Sequence, residues 1–414
     1  MSLALVALLL LVAILVLAAV RSDLNAGIFA VAVAYGLGLG VMGLSAAEVA
    51  GFLPSQLVLT IVGVALLFEM ANQNGTLERL TAVAIRLVRG NSRWLPVSFF
   101  LLTFGLSAMG PGNIAATVLV APIAMPTAVA AGISPFLMAV LVCTGANAGA
   151  FSPVSVTGNI NTALIQKIGL TEPLLPLQIF FVVASIQAVT ALAAYLLLGG
   201  YRVRSQAILP DAPRLVFELR HLLTLVAIGL FIVMLVGFQA PAPAAAFSLV
   251  AVLGLFRLGD ADASIKALPW GVLLLISGLS ILIGLLEKVG SLELTTRLLA
   301  QAATPQTLGA TLAFFAGLAS VGSSSSGVVM PLFIPLAPQI LERVGTGDLT
   351  SAVIAIDLGS HMVDVSPLST LGALCLAALP PSENRSQLFR QLLAWGLSMT
   401  VVGALLAWVF LDLL

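Results

Sequence analysis

Apolar stretches of about 18 residues or more recur from one end of this chain to the other, and helices of that length are what roughly 30 Å of hydrocarbon demands. Hydrophobic residues make up 60% of the 414 positions, and charged residues only 8%, where a soluble domain carries about 25%. The chain therefore reads as an all-α polytopic membrane protein. Its 17 basic and 17 acidic side chains balance, which leaves no basic field to hold nucleic acid and no acidic tail to recruit a partner. Cys143 and Cys375 lie in apolar surroundings without a C-x-x-C partner, and His221 and His361 form no H-E-x-x-H cluster. Neither a disulfide framework nor a zinc hydrolase is indicated. The apolar run after Met1 has no basic region ahead of it and no clear cleavage site, so it is read as a first span rather than a signal peptide.

Windows between polar or Pro/Gly punctuation place ten spans near 2–20, 26–46, 55–72, 133–166, 175–199, 218–238, 242–259, 268–287, 349–379 and 388–413. Two further apolar stretches, 95–129 and 306–341, are interrupted midway by Ser107-Ala-Met-Gly-Pro-Gly-Asn113 and by Ser320-Val-Gly-Ser-Ser-Ser-Ser-Gly327. Such polar interruptions do not sit unpaired in lipid. Both stretches are predicted to be re-entrant hairpins whose tips are buried in protein or line a wet cavity. The glycines between Gly36 and Gly43 predict close helix packing rather than phosphate binding, since no G-x-x-x-x-G-K-[ST] follows.

The halves resemble each other. Gly75-Thr-Leu-Glu78 matches Gly290-Ser-Leu-Glu293 at an offset of 215, and Ser152-Pro-Val-Ser-Val-Thr-Gly158 matches Ser366-Pro-Leu-Ser-Thr-Leu-Gly372 at 214. Five spans per repeat is odd, so the second copy enters the membrane from the opposite side; inverted repeats of this kind mark transporters. With the N-terminus outside, 13 of the 17 Lys and Arg residues fall on the inner face, leaving Lys167, Lys288, Arg297 and Arg343 outside. The positive-inside rule thus favours both termini outside. Segments 76–90 and 291–302 mix charge with Leu, Val and Ala and are predicted to be interfacial amphipathic arms.

Each Ser-Pro-x-Ser string lies inside a long apolar segment, where proline removes a backbone donor and breaks the helix near mid-bilayer. The break leaves free carbonyls that suit a cation, followed by free amides that suit an anion. With the hairpin tips at Asn113 and Ser324–Ser326, four half-helix ends converge. That arrangement binds a small anion without an intramembrane lysine or arginine. Asp357, His361 and Asp364 fall on one face of the segment leading into the second break. They read either as a proton or cation relay or as a polar network that stabilises the broken helix. Repeat 1 has Cys143, Asn147 and Ala150 in their places. Glu69 is read as interfacial.

Asn113-Ile-Ala-Ala-Thr-Val-Leu-Val-Ala-Pro-Ile-Ala124 resembles the hairpin segment of the divalent anion/sodium symporters of the ion transporter superfamily, in which Pro follows a Ser-Asn-Thr tip. Ser152-Pro-Val-Ser-Val-Thr-Gly-Asn159 resembles their broken-helix string Thr-Pro-x-Gly-Thr-Pro-Pro-Asn. Within that group, Gly145-Ala-Asn-Ala-Gly-Ala-Phe-Ser-Pro153 is most similar to bacterial malonate or dicarboxylate carrier permeases. Three strings depart from the pattern: Gly112-Asn113-Ile114 at the first tip, Ser325-Ser326-Gly327 at the second, and Ser155-Val156 for Gly-Thr in the first loop.

The resemblance implies a homodimer in the bacterial inner membrane, in which a mobile domain moves like an elevator against a fixed scaffold. Residues 1–93 and 201–304 would form the scaffold with its arms, and 94–200 and 305–414 the transport parts. The expected function is a cation-coupled symporter, not an enzyme, for a small carboxylate such as malonate or succinate. It needs no cofactor and couples to Na+ or H+. Expected substrate-binding residues are Gly112, Asn113, Ser155, Thr157, Asn159, Ser325, Ser326, Ser369 and Thr370. Expected cation-binding residues, for Na+ in particular, are Ser107, Asn113, Asn147, Ser152, Ser323, Ser326, Asp364 and Ser366. A Na+/H+ antiporter or an arsenite-type efflux permease on the same scaffold, with Asp357 and Asp364 exchanging protons, is the rival within transport. A membrane enzyme acting on a lipid or isoprenoid is the rival outside it.

Overall fold

The structure is a computed structural model and describes all residues except 1–2, 21–23, 54, 78, 80–91, 203–215, 239, 269, 322–323, 346 and 413–414. The described residues are helical and contain no strand. The first half runs α1 (Leu3–Val20), α2 (Ala26–Gly40), a short α3 (Ala46–Ala50) and α4 (Ser55–Gln73). A hairpin follows, α5 (Leu95–Ala108) and α6 (Gly112–Ala130), then α7 (Pro135–Ala150), α8 (Val156–Lys167) and α9 (Leu175–Leu197). The second half repeats this order: α10 (Leu219–Ile232), α11 (Ala242–Leu255), a short α12 (Ala261–Ala267), α13 (Trp270–Lys288) and α14 (Ser291–Ala302). Its hairpin is α15 (Leu308–Ser320) and α16 (Ser325–Val344), followed by α17 (Leu349–Met362), α18 (Thr370–Ala377) and α19 (Arg385–Ala407).

The apolar windows anticipate most of this order. The windows 133–166 and 349–379 are split as expected, into α7 with α8 and α17 with α18. The second arm is helical as α14, whereas most of the first arm, with Glu78, lies outside the described residues. The hairpins are less even than two half-helices: the second limbs, Gly112–Ala130 and Ser325–Val344, are as long as a full crossing. Proline explains how such limbs are accommodated. Pro122 and Pro126 sit inside α6, and α16 passes through wide and tight turns around Pro331, Pro335 and Pro338. Each proline deletes a backbone hydrogen bond and lets the limb bend. By length and composition two more helices, Leu175–Leu197 and Arg385–Asp412, are long enough to cross a membrane; α1, α4 and α13 run 18, 19 and 19 residues.

Packing joins the halves crosswise: α2 lies on α13, and α4 on α11. The α2–α13 approach is backbone to backbone, since a Cβ at Gly27 would overlap Leu274 O and one at Gly278 would overlap Gly27 O. The glycine run Gly36–Gly43 contributes less than its composition predicts: Gly38 faces Val49, whereas Gly36 and Gly40 face open space. In the hairpin regions, α5 and α6 pack on α7, and α15 packs on α17 and α19. Gly145 permits the first of these contacts against Phe100 O and Gly359 the second against Ala313 O. These two glycines are 214 positions apart, the offset of the two Ser-Pro strings. The last helix of each half also holds the start of its hairpin: Tyr195 OH donates to Arg93 O at 3.1 Å, and Asp412 accepts from Gly309 N at 2.8 Å and Ala310 N at 3.0 Å.

Candidate functional site

Both breaks fold back tightly because of the residues that follow the proline. In the first, Ser155 caps α8 by accepting from Gly158 N at 3.0 Å while its hydroxyl donates to Ser152 O and Ala150 O. Asn159 Nδ2 donates to Ser155 O at 2.7 Å and to Pro153 O at 3.2 Å. A side chain at Gly158 would overlap Ser152 O, and one at Gly372 would overlap Ser366 O in the second break. The second break is wired differently. Ser369, at the N-cap position of α18, turns its hydroxyl to Asp364 Oδ1 at 2.9 Å. The reason is in the sequence: 214 positions before Asp364 stands Ala150, which has no carboxylate to receive such a bond.

The hairpin tips meet these breaks. Gly110 and Gly112 take φ of +144° and +80°, the left-handed region that glycine tolerates. Gly110 O accepts from Val156 N at 3.2 Å, fixing the first tip to the first break. Asn113 Nδ2 donates to Asn147 Oδ1 at 2.8 Å, and Asn147 Nδ2 donates to His361 O at 2.7 Å, so one chain of amides runs from the first tip across to the second broken helix. At the second tip, Ser325 Oγ lies 2.6 Å from Asp364 Oδ1, 2.6 Å from Ser320 Oγ and 3.0 Å from Ser360 O. An amide ladder in one half thus faces a carboxylate and hydroxyl cluster in the other. Ser320, Ser325, Ser369 and Asp364 offer oxygens only, the ligand set of a hard cation rather than a transition metal. Among the described residues no three His, Cys, Asp or Glu side chains gather as a metal site.

Gly112, Asn113, Asn147, Ser325, Ser369 and Asp364 are buried and joined across tips and breaks. Ser155 and Asn159 are buried with their polar atoms committed to the turn itself, and Ser366 Oγ likewise accepts from Leu368 N at 3.2 Å. Ser152, Thr157 and Ser326 are buried at the same ends. Ser107 is buried at the end of α5 with no partner for its hydroxyl. Thr370 is exposed, and Ser323 lies outside the described residues. Glu69 accepts from Asn72 Nδ2 at 3.4 Å within α4.

Asp357 and His361 lie on α17 and Asp364 in the turn just past its end, yet among the described residues no side-chain hydrogen bond links them into a relay. His361 Nδ1 instead sits 3.0 Å from both Asp357 O and Ser360 Oγ. Asp357 faces Asn161, and Cys143 faces Cys375. The sequence reading missed both pairs; the offset of 214 maps one pair onto the other but by itself reveals neither contact.

A cavity of about 1090 Å³ opens beside the site. Its floor includes Pro153, Asn159, Pro331 and Pro335, and its walls include Phe52, Lys167, Thr171 and Glu287. It lies between the α3–α4 and α13 side and the broken-helix and hairpin side.

Residues 1–150 match the family model described as dicarboxylate carrier protein MatC N-terminus. That match bears out the resemblance to dicarboxylate carrier permeases, and the family is one of carriers, not enzymes. Among solved structures, the chain is similar to the Alcanivorax borkumensis YdaH transporter, whose crystal structure is described as revealing an unusual topology. The TM-score is 0.55 at 15% identity, over 88% of this chain and 86% of that one. At that identity the likeness establishes the fold. No curated protein matches the chain.

Proposed function

We propose that this chain is a secondary active transporter of the dicarboxylate-carrier kind, taking up a small carboxylate such as malonate or succinate together with Na+ or H+. The observation that carries the reading is the meeting of two hairpin tips and two helix breaks in one buried place. Backbone amides at the starts of α6, α8, α16 and α18 would hold carboxylate oxygens. Asn113, held by Asn147, would orient them. Asp364 with the hydroxyls of Ser325 and Ser369 would take the cation. Anion and cation then bind within one shell, so each raises the other's affinity, which is the basis of coupling.

The recurrent element order, the crosswise packing and the paired glycines at Gly145 and Gly359 support two inverted repeats. On this reading residues 1–93 and 201–304 form a scaffold, and 94–200 and 305–414 form the transport parts that move against it as an elevator. The protein would be a homodimer in the bacterial inner membrane with both termini outside. The cavity walls at Phe52, Lys167, Thr171 and Glu287 belong to loops and helix ends assigned outside, so on this reading the conformation would be outward-facing.

Uptake of labelled malonate and succinate into proteoliposomes under imposed Na+ or proton gradients tests the proposal. Gradient-driven accumulation is expected. Cation exchange that needs Asp364 without carboxylate uptake would favour the antiporter reading instead.

A further inference from the structure

The offset that aligns the two breaks also aligns two contacts. Adding 214 to Cys143 gives Asp357, and adding it to Asn161 gives Cys375. The thiols of Cys143 and Cys375 lie 3.7 Å apart, and Asn161 Nδ2 donates to Asp357 Oδ2 at 2.5 Å. The first part of one broken helix therefore meets the second part of the other twice, in the same register. One copy fills the place with two small soft side chains; the other fills it with a carboxyl and an amide. Packing alone does not require the carboxyl, because the thiol pair occupies the equivalent position.

Asp357 is sealed at 0% exposure, yet among the described residues its Oδ1 has no partner, and neither has His361 Nε2 one turn further on. The Phe151 ring stands edge-on 4.6 Å from the imidazole. Among the described residues no cation is placed to balance a carboxylate here. The helix itself brings His361 and Asp364, α7 brings Cys143, and α18 brings Cys375. Lys167 is at the far end of α8, Glu342 and Arg343 end α16, and Arg385, Arg390 and Asp412 lie toward the ends of the α19 segment; α9 and α15 carry no ionisable Asp, Glu, His, Lys or Arg. An uncompensated buried charge is strongly disfavoured. One carboxyl and one amide supply too few oxygens for a hard cation. The ligand that fits is a proton.

We propose that Asp357, held by Asn161, is a proton-binding site separate from the Asp364 cluster, and that its proton is the one coupled to carboxylate uptake; the second clause rests on the transport reading above. Asn159 and Thr162, on α8 with Asn161, line the cavity, whereas Asn161 and Asp357 themselves are sealed from it at 2% and 0% exposure, so proton exchange requires water to reach the pair from there. Release breaks the carboxyl O–H bond, passes the proton to that water and leaves a carboxylate on the Asn161 amide; binding is the reverse.

Two variants test this. Asp357→Asn keeps a polar partner for Asn161 without a titratable proton. Asp357→Cys combined with Asn161→Cys copies a pair the fold already contains. Infrared difference spectra of the reconstituted protein across a pH change read the site without any substrate. A carboxylic-acid carbonyl band that shifts on carbon-13 labelling of aspartate is expected, and its loss in both variants. Proton uptake accompanying malonate, followed with an internal pH dye, is expected to be lost with it. Absence of the band in the wild type, or undiminished proton uptake per malonate in the folded double-cysteine variant, overturns the proposal. A wild type with the band but without malonate uptake supports the proton site and sinks the transport reading alone.

Discussion

Asn113 shows how one side chain can serve two purposes at a hairpin tip. Its Oδ1 accepts from Ile114 N at 3.0 Å, shaping the first turn of α6, while its Nδ2 reaches Asn147. Replacing Asn113 by Ala leaves Asn147 Oδ1 buried without its donor, a loss of about 1–3 kcal/mol. If that falls on the bound state, malonate affinity drops roughly five- to 150-fold, with expression unchanged; labelled uptake in proteoliposomes measures it, and wild-type kinetics would remove this tip from the site. Asn113 and Asp364 were legible in the sequence because polar residues are costly in an apolar stretch. Their partners were not. Asn147 joins His361 across 214 positions and Asp357 joins Asn161 across 196, and no local pattern encodes such distances. For the same reason the i, i+4, i+7 spacing of Asp357, His361 and Asp364 does not by itself tell a relay from a polar network: Asp357 and Asp364 each find a partner on another element.

At the scale of elements, the helix breaks depend on glycine as much as on proline. Pro153 and Pro367 interrupt the backbone, but the chain doubles back only because Gly158 and Gly372 present no Cβ to Ser152 O and Ser366 O. Gly158→Ala is expected to force the break apart at a cost of about 1–3 kcal/mol, the range for overpacking a close contact. A lowered unfolding temperature of the detergent-purified protein, accompanied by loss of uptake, is the expected result. An unchanged unfolding temperature would show that the turn has room to spare. The breaks could be read from Ser-Pro-x-Ser alone. The long second limbs of the hairpins could not, because the prolines that mark a stop in one helix merely bend α6 and α16.

For the whole molecule, the duplicated order of elements and the crosswise α2–α13 and α4–α11 contacts make a framework against which the tips and breaks are held. The cavity beside that framework reaches the first break at Pro153 and Asn159. Thr171→Cys, placed on the cavity wall, is expected to react with a membrane-impermeant maleimide added outside intact cells. The native Cys143 and Cys375 are buried and give little background. Labelling only after permeabilisation would reverse the assigned orientation. The most direct measurement is a structure of the purified protein with malonate. The account predicts the dicarboxylate bound between the Gly112–Asn113 tip, the Ser325–Ser326 tip and the two breaks; malonate bound elsewhere, with these four ends empty, would contradict it.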